Sequence, residues 1–216
     1  MNIDSIEQAR NVDRARSLKA ATGATHERLD RSIMAARLFE NRKRYGLFVT
    51  LQHQFHREVD ALHDDAALGQ LLPDLKGRRR LPLIEQDLAD LGLALPAATA
   101  TPVFERGNEI DLPTALGWLY VAEGSKLGAA FLLMECEKLG FSETVGARHL
   151  AAAPGGRGLH WKTFTAALDA VPLSGMEEER AIAGARAAFA RVQELMDNLV
   201  ARANTDMMQA PVGEQA

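Results

Sequence analysis

Near its middle, the chain contains the run Gly117-Trp118-Leu119-Tyr120-Val121-Ala122-Glu123-Gly124-Ser125-Lys126-Leu127-Gly128-Ala129-Ala130. Helix-forming residues flank this run, yet it holds three glycines, each of which costs about 1 kcal/mol relative to alanine in a helix interior. Their spacing of seven and four residues places them on one face of a helix. Such a face either packs closely against another helix or lets a large flat molecule lie against the backbone. The spacing alone leaves both interpretations open, and glycines on either side of a serine also predict a bend.

The composition is that of a globular domain and excludes several classes of protein. The chain has 216 residues, a formal net charge of −4 and no long basic run, which argues against a nucleic-acid surface. Its single cysteine, Cys136, excludes a disulfide, a cysteine-rich metal site and covalent haem attachment. No window is apolar enough for a membrane span, and the charged N-terminus does not look like a signal peptide. We therefore expect a cytoplasmic protein that is not bound to a membrane.

Apolar residues recur in steps of three and four along most of the chain, which predicts an all-α fold. The pattern gives helices near residues 12–33, 42–62, 66–72 and 82–91, then the glycine-containing helix from Pro113 to Leu139, and finally helices around Trp161 and from Ser174 onward. Residues 94–109 read as a long connection. We predict a single domain over residues 11–203, with flexible ends at 1–10 and 204–216.

The six histidines are the candidate metal ligands. His26 falls on the apolar stripe of the first helix, so we expect it on the buried face. His53, His56 and His63 are expected at the surface or its boundary, because no zinc-binding motif includes them. No glutamate has a histidine three residues later, which argues against a di-iron carboxylate bundle. A buried imidazole on one helix and a bare face on another would suit a flat macrocycle with a central iron.

Four segments together resemble the bacterial haem oxygenase family. The run 117–130 resembles its distal helix, and Leu18-Lys19-Ala20-x-Thr22-x-x-Thr25-His26 is similar to its proximal helix. Residues 146–150 and 156–161 resemble the loop after the distal helix and the start of the next helix. The resemblance runs in order from about residue 12 to residue 200. It implies a multi-helix bundle that holds haem b between a proximal helix and a kinked distal helix.

The resemblance also implies roles for individual residues. His26 would be the proximal iron ligand, and Gly124 and Gly128 would lie against the distal side of the haem with Ser125 and Leu127 beside them. Gln52, His56 and Arg80 match positions that serve a distal proton network, although Arg80 could equally be a surface arginine.

Two further positions concern the haem propionates and the site of ring cleavage. Lys19 and Tyr120 match the propionate-binding positions of the branch that cleaves haem at the α-meso carbon. A second branch holds its haem rotated in the plane and uses lysines at positions that are Met34 and Glu135 here. The resemblance therefore implies the α isomer of biliverdin.

By this resemblance the protein is a haem-degrading monooxygenase that uses haem as both cofactor and substrate. O2 and external electrons would yield biliverdin, carbon monoxide and ferrous iron. A ferredoxin or a reductase would supply the electrons, because the sequence has no flavin or nicotinamide motif. We expect a monomer, and both iron acquisition and bilin supply fit as purposes. Two alternatives remain, namely a haem carrier of the same fold and a related helical protein for another small molecule.

Overall fold

The protein consists almost entirely of α-helices connected by turns and loops. A computed structural model describes residues 13–98 and 100–209, with side chains described up to residue 201. Within these ranges there is no β-strand beyond isolated bridges around residue 142, and seven α-helices follow in order. Their bounds are α1 Arg14–Ala35, α2 Arg42–Val59, α3 Ala66–Leu71, α4 Leu81–Asp90, α5 Leu112–Lys138, α6 Arg157–Ala170 and α7 Gly175–Gln209. Short 3-10 turns occupy Asp60–Asp64, Lys76–Arg78 and Arg148–Leu150. The predicted all-α class is confirmed.

Local signals in the sequence set the helix ends. Asn41 caps α2 by accepting a hydrogen bond from the backbone N–H of Arg44 at 3.0 Å. Asp111 caps α5 in the same way, accepting from the N–H of Thr114, and Pro113 occupies the first turn. Gly140 follows α5 with a φ of +82°, a left-handed conformation in which glycine ends helices without a side-chain penalty. The predicted ends of α2 and α5 are therefore confirmed.

The two longest helices, α5 and α7, form the centre of the structure. The helix α7 packs along both α5 and α1, whereas α1 and α5 approach each other at few positions. On the other side of α5, aromatic side chains of α2 fill the core, and Phe55 stacks on Trp118 with ring centroids 6.2 Å apart. Because α1 and α5 share α7 but hardly touch each other, one face of each is not covered by the partner helix.

Gly117 is a packing glycine. A Cβ atom at this position would lie 2.6 Å from the backbone N of Ala185 and closer still to the carbonyl oxygen of Ala181, both on α7. The approach is reciprocal, because a Cβ at Gly184 would lie 3.0 Å from the Cα of Thr114 on α5. Close helix–helix packing is therefore the correct interpretation of Gly117.

Buried charged side chains join the helix ends to the loops. Arg14 lies at the start of α1 and donates to the carbonyl oxygens of Leu168 and Val171 at the end of α6 while pairing with Glu178 at 2.6 Å. Asp87 on α4 is fully buried and accepts from the backbone N–H groups of Arg148 and His149. These bonds fix the first turn of α1 and the loop that follows α5.

The ends of the predicted domain are only partly described. Residues 1–12 and 210–216 lie outside the described residues, so the predicted flexibility of both ends stays a prediction. The last helix continues to Gln209, past the predicted domain end at residue 203. No helix in the described ranges has the length and apolar character needed to cross a bilayer.

The close approach at Gly117 predicts opposite effects for two substitutions in the same helix. Gly117→Ala should destabilise the protein by about 2–3 kcal/mol, because the new methyl group would force α5 and α7 apart. Gly128→Ala is the matched control: a Cβ there meets no heavy atom within 4 Å, so we expect a gain of about 0.5–1 kcal/mol from helix propensity. Urea unfolding of the haem-free protein measures both, and equal effects would contradict the packing account.

Candidate haem-binding site

The bare part of α5 begins where α7 no longer covers it. A Cβ at Gly124 would meet only the ring of Trp161, 3.6 Å from its Cη2 atom, and a Cβ at Gly128 would meet nothing within 4 Å. Between these glycines the exposed side chains are Ser125 and Leu127, while Lys126 points into the protein and is buried. The backbone of α5 is therefore open to a flat ligand at Gly124 and Gly128.

An apolar strip continues from the bare face along α5. Leu127, Phe131 and Met134 are spaced four and three residues apart, and they are 43%, 51% and 53% exposed. Large apolar side chains that lie exposed side by side are unusual on a monomeric protein and mark a binding surface. We call the surface formed by Gly124, Leu127, Gly128, Phe131 and Met134 the glycine face.

His26 lies on α1 with its side chain 60% exposed, so the expectation that it is buried was wrong. The buried side of α1 is formed by Leu18, Thr22 and Leu29. At His26 the ring of Phe189 on α7 meets the imidazole edge-on with centroids 5.8 Å apart. The apolar stripe thus placed His26 on the apolar face of α1. It could not show that this face is exposed at His26.

A neighbouring carboxylate orients the His26 ring. The Nδ1 atom of His26 lies 3.0 Å from Oδ2 of Asp30, one helical turn further along α1. The contact is within ion-pair distance, and Asp30 lies on the Nδ1 side of the ring. Carboxylates commonly orient metal-binding histidines in this way. The imidazole is therefore exposed, with a carboxylate beside its Nδ1 atom.

The other histidines do not form a metal site. His53, His56, His63 and His149 are buried, and His160 is mostly buried, so the expectation that the first three lie at the surface or its boundary was wrong. The apolar stripe of α2 did not reveal the burial of these histidines, because the protein interior also includes positions outside the stripe. In the described part of the chain no three histidine, cysteine, aspartate or glutamate side chains come together as a metal cluster.

The three predicted members of the distal network lie on α2 and at the start of α4. Arg80 is half-buried, and its Nη2 lies 3.4 Å from the carbonyl oxygen of Ala151. His56 is fully buried in α2, where burial and the positive charge of Lys126 hold its pKa well below the usual value. Gln52 is half-buried one turn earlier on the same helix. Arg80 is therefore not a surface arginine, and a shared network of the three stays a prediction.

The remaining predicted residues lie on α1 and α5. Lys19 is exposed on α1, and Tyr120 is buried on α5 with its ring 5.6 Å from that of Trp161. The Ser125 hydroxyl donates to the carbonyl oxygen of Ala122 at 2.8 Å, a local bond that often bends helices. The helix is continuous through both glycines from Leu112 to Lys138, and the predicted kink stays a prediction.

Behind the glycine face lies a buried ion cluster that the sequence analysis did not identify. Glu123 accepts from Nη1 of Arg78 at 2.9 Å and pairs with the ammonium of Lys126. The Lys126 ammonium also donates to the carbonyl oxygen of Arg78 at 2.8 Å. His160 Nε2 lies 3.4 Å from Oε2 of Glu123, which is within ion-pair distance but outside hydrogen-bond geometry. This cluster joins α5 to α6 and to the turn at residues 76–78.

The two partners of the Glu123–Lys126 pair respond differently to burial. Burial alone would raise the pKa of Glu123, but His160, Lys126 and Arg78 outweigh it and lower the pKa to about 2. Burial lowers the pKa of Lys126 to about 8, and the positive charges of Arg80 and Arg78 reinforce the effect against the attraction of Glu123. Glu123 is therefore an anion at neutral pH, and Lys126 is a cation that can lose its proton near pH 8.

A small cavity adjoins both the ion cluster and the glycine face. Its wall is formed by Arg80, Glu123, Lys126, Leu127, Ala151, Ala153, Arg157, His160 and Trp161. Leu127 belongs to the glycine face and Trp161 lies against Gly124, so the cavity borders that face. The sequence places Glu123 and Lys126 within the run 117–130 and Arg78 within a short basic segment, but it does not indicate that these charges meet.

The fold and the site define an all-helical protein with one exposed imidazole, held by a carboxylate, and a glycine-containing apolar face on a second helix. A family model described as haem oxygenase matches residues 12–198. The chain is 38% identical over 195 residues to haem oxygenase PigA of Pseudomonas aeruginosa, covering 90% of this chain and 97% of that protein. The chain therefore belongs to the haem oxygenase family.

A solved structure agrees with this assignment. The NO- and CO-bound haem oxygenase of Neisseria meningitidis superposes on this chain with a TM-score of 0.81 and 39% sequence identity. The match covers 87% of this chain and 92% of that protein. The recognition made from the four sequence segments is thus confirmed, together with the haem-oxygenase-like helical fold.

The residues present fit haem. An iron ligand needs an exposed imidazole, and the His26 ring is exposed with Asp30 beside its Nδ1 atom. The porphyrin needs an apolar surface that admits it close to the backbone, and the glycine face is exposed, apolar and open above Gly128.

The geometry of His26 predicts how the protein loses haem ligation. His26→Ala should abolish the spectrum of imidazole-ligated ferric haem, because all five other histidines are buried or mostly buried and none can replace it. Added imidazole should restore that spectrum. Glu27→Ala, an exposed change on the same helix, is the control and should titrate with haemin like the unmodified protein. Retention of the imidazole-ligated spectrum by His26→Ala would contradict the assignment of the ligand.

Proposed function

We propose that this member of the haem oxygenase family binds haem b between α1 and the glycine face of α5 and cleaves it at the α-meso carbon. The products would be α-biliverdin, carbon monoxide and ferrous iron, formed with O2 and electrons from a ferredoxin or a reductase. The observation that carries the proposal is the pairing of an exposed, carboxylate-oriented His26 with a bare helical face on α5.

Each helix contributes a separate part of the binding site. On α1, His26 would supply Nε2 to the iron, and Asp30 would keep the ring in the orientation and tautomer that this bond needs. On α5, Gly124 and Gly128 would allow the ring to lie against the backbone, and Leu127, Phe131 and Met134 would bury its apolar edge. When bound, haem supplies both the redox-active iron and the porphyrin that is oxidised.

The glycine face would present no strong acid or base to the distal side of the haem. Between Gly124 and Gly128 the exposed side chains are Leu127 and Ser125, and the hydroxyl hydrogen of Ser125 is already donated to Ala122. No imidazole or carboxylate in that stretch is exposed, so no side chain there can act as a strong acid or base towards a ligand. Protons would have to reach the distal side from the neighbouring cavity, whose wall includes Arg80.

Charge favours the α isomer. Haem propionates are anionic and are stabilised by cations or hydroxyl groups. Lys19 is an exposed cation on α1, whereas the alternative position on α5 is Glu135, a carboxylate that pairs with Lys138 at 2.6 Å. Met34 is exposed and offers no charge. A propionate would be attracted to Lys19 and repelled by Glu135, which supports the orientation that the resemblance implied.

The setting of the reaction rests on the sequence expectations. An external electron donor is proposed because the family implies a redox partner and the sequence carries no flavin or nicotinamide motif. The monomeric state, the cytoplasmic location and the choice between iron acquisition and bilin supply stay predictions.

The proposal predicts the product isomer and a way to change it. Reductase-driven turnover with catalase present should give mainly α-biliverdin when the product is separated by chromatography. The variant Met34→Lys with Glu135→Lys should shift part of the product to β and δ isomers, because two new cations would attract the propionates to the rotated position. Glu137→Lys makes the same change of charge at an exposed position of α5 outside the glycine face and serves as the control. Mainly β or δ product from the unmodified protein would contradict the predicted orientation.

A further inference from the structure

Lys126 occupies an unusual place in α5. It lies between Gly124 and Gly128 in the sequence, yet its side chain points into the protein and is buried. Its ammonium donates to the carbonyl oxygen of Arg78 at 2.8 Å and pairs with Glu123. An ammonium carries three N–H groups, so these two partners leave one donor unassigned. Lysine is rarely buried, and a buried lysine readily shifts its pKa and takes part in proton transfer.

The cavity connects Lys126 with the glycine face. Lys126 forms part of the cavity wall together with Leu127 and Trp161, which both border that face. Arg80 is on the same wall, and its Nε atom is buried without a hydrogen-bond partner. Lys126 is therefore a group on this wall that combines a transferable proton with a position directly behind the glycine face, whereas an arginine does not release its proton.

The charges around Lys126 are predominantly positive. Titratable and charged groups face Lys126 from every element packed on this part of α5. They are Glu123 on α5 itself, Arg78 and Arg80 before and at the start of α4, His56 on α2, His63 in the turn after α2, and Arg157 and His160 on α6. Glu123 is the one carboxylate in this group. The surplus of positive charge makes release of a proton from Lys126 easier.

We propose that Lys126 is the proton donor for the distal side of the haem site. This inference rests on the proposed function, because the oxidation of haem by O2 and electrons forms water and so consumes protons on the distal side. The ammonium would give its proton into the cavity and become a neutral amine that still donates to the Arg78 carbonyl. The amine would regain a proton from solvent on the side of His160, whose side chain is 14% exposed.

The electrostatics support this assignment. The pKa of Lys126 is lowered to about 8, first by burial and then by Arg80 and Arg78. Lys126 is therefore protonated and able to donate below about pH 8, and it loses this capacity as the pH rises through that value. Glu123 keeps its charge throughout this range, because its pKa is lowered to about 2.

A structural role for Lys126 makes a different prediction from a proton-donor role. If the side chain only neutralises Glu123, then Lys126→Arg should preserve function, because arginine keeps the positive charge. If Lys126 donates a proton, the same variant should fail, because a guanidinium stays protonated at any accessible pH. Lys126→Met removes both the charge and the proton. Lys138→Met is the matched control, an exposed lysine on the same helix.

The test uses the haem complexes of the unmodified protein and these three variants. One measurement is the pH midpoint of the acid-to-alkaline spectral change of the ferric complex, which does not depend on turnover. Lys126→Met should raise this midpoint by about half to one pH unit, because a nearby positive charge favours the anionic alkaline form. Lys138→Met should leave it unchanged, and Lys126→Arg, which keeps its charge at all these pH values, should not raise it.

The second measurement is the single-turnover rate as a function of pH, with catalase present. The rate of the unmodified protein should fall above about pH 8. Both Lys126 variants should be slower at pH 7, on the order of 10- to 100-fold, and should lack that fall. Lys138→Met should behave like the unmodified protein.

Two results would overturn the inference: a rate for Lys126→Arg equal to that of the unmodified protein with the same pH dependence, or an unchanged midpoint in Lys126→Met. Should Lys126→Met fail to fold, the rate of Lys126→Arg decides alone. Failure of the proposed function itself would be recognised separately, because the unmodified protein would then not bind or degrade haem.

Discussion

The arrangement of the site depends on the ion pairs that the buried carboxylate of Glu123 forms with Arg78 and Lys126. This carboxylate neutralises Arg78 and Lys126 behind α5 and thereby fixes this helix to the turn at 76–78 and to α6. Removing one member of a buried ion pair costs about 3–5 kcal/mol, because the other charge is left without compensation. With α5 held from behind, the side that carries Gly124 and Gly128 needs no protein partner.

The same residue type serves two purposes along α5, depending on where α7 lies. At Gly117 the missing side chain lets the backbones of α5 and α7 come into contact, and Gly184 contributes the same from the other helix. At Gly128 no protein atom takes the space of the missing side chain. Close packing at one end thus positions the bare face at the other, and His26 on α1 lies beside the same helix α7 through its contact with Phe189.

Much of the fold could be predicted from the sequence because its signals are local. Apolar periodicity, the caps at Asn41 and Asp111 and the left-handed Gly140 act within a few residues, so the helices and several of their ends were correct. The choice of His26 came from the resemblance, and its exposure could not be predicted, because exposure depends on how far α7 extends over α1. A helical period identifies the apolar face of a helix but not its neighbours.

The ion cluster and the buried histidines were missed for a related reason. Arg78 and Glu123 are 45 residues apart, and no local pattern indicates that their charges will meet in the interior. The helical pattern places His53 and His63 nearer the polar side, but both are buried in the folded protein. Long-range contacts of this kind determine where the buried charges and histidines lie. The charged part of the site was therefore harder to predict than the fold.

The most direct test of this account is aerobic turnover of the haemin complex. The purified protein is mixed with haemin and an electron donor in air, with catalase added to remove free hydrogen peroxide, and the absorption spectrum is followed. The account predicts a sharp Soret band that decays into the broad red absorbance of biliverdin while carbon monoxide is released. A Soret band that persists although the donor reduces the bound haem would contradict it and would identify a protein that only binds haem.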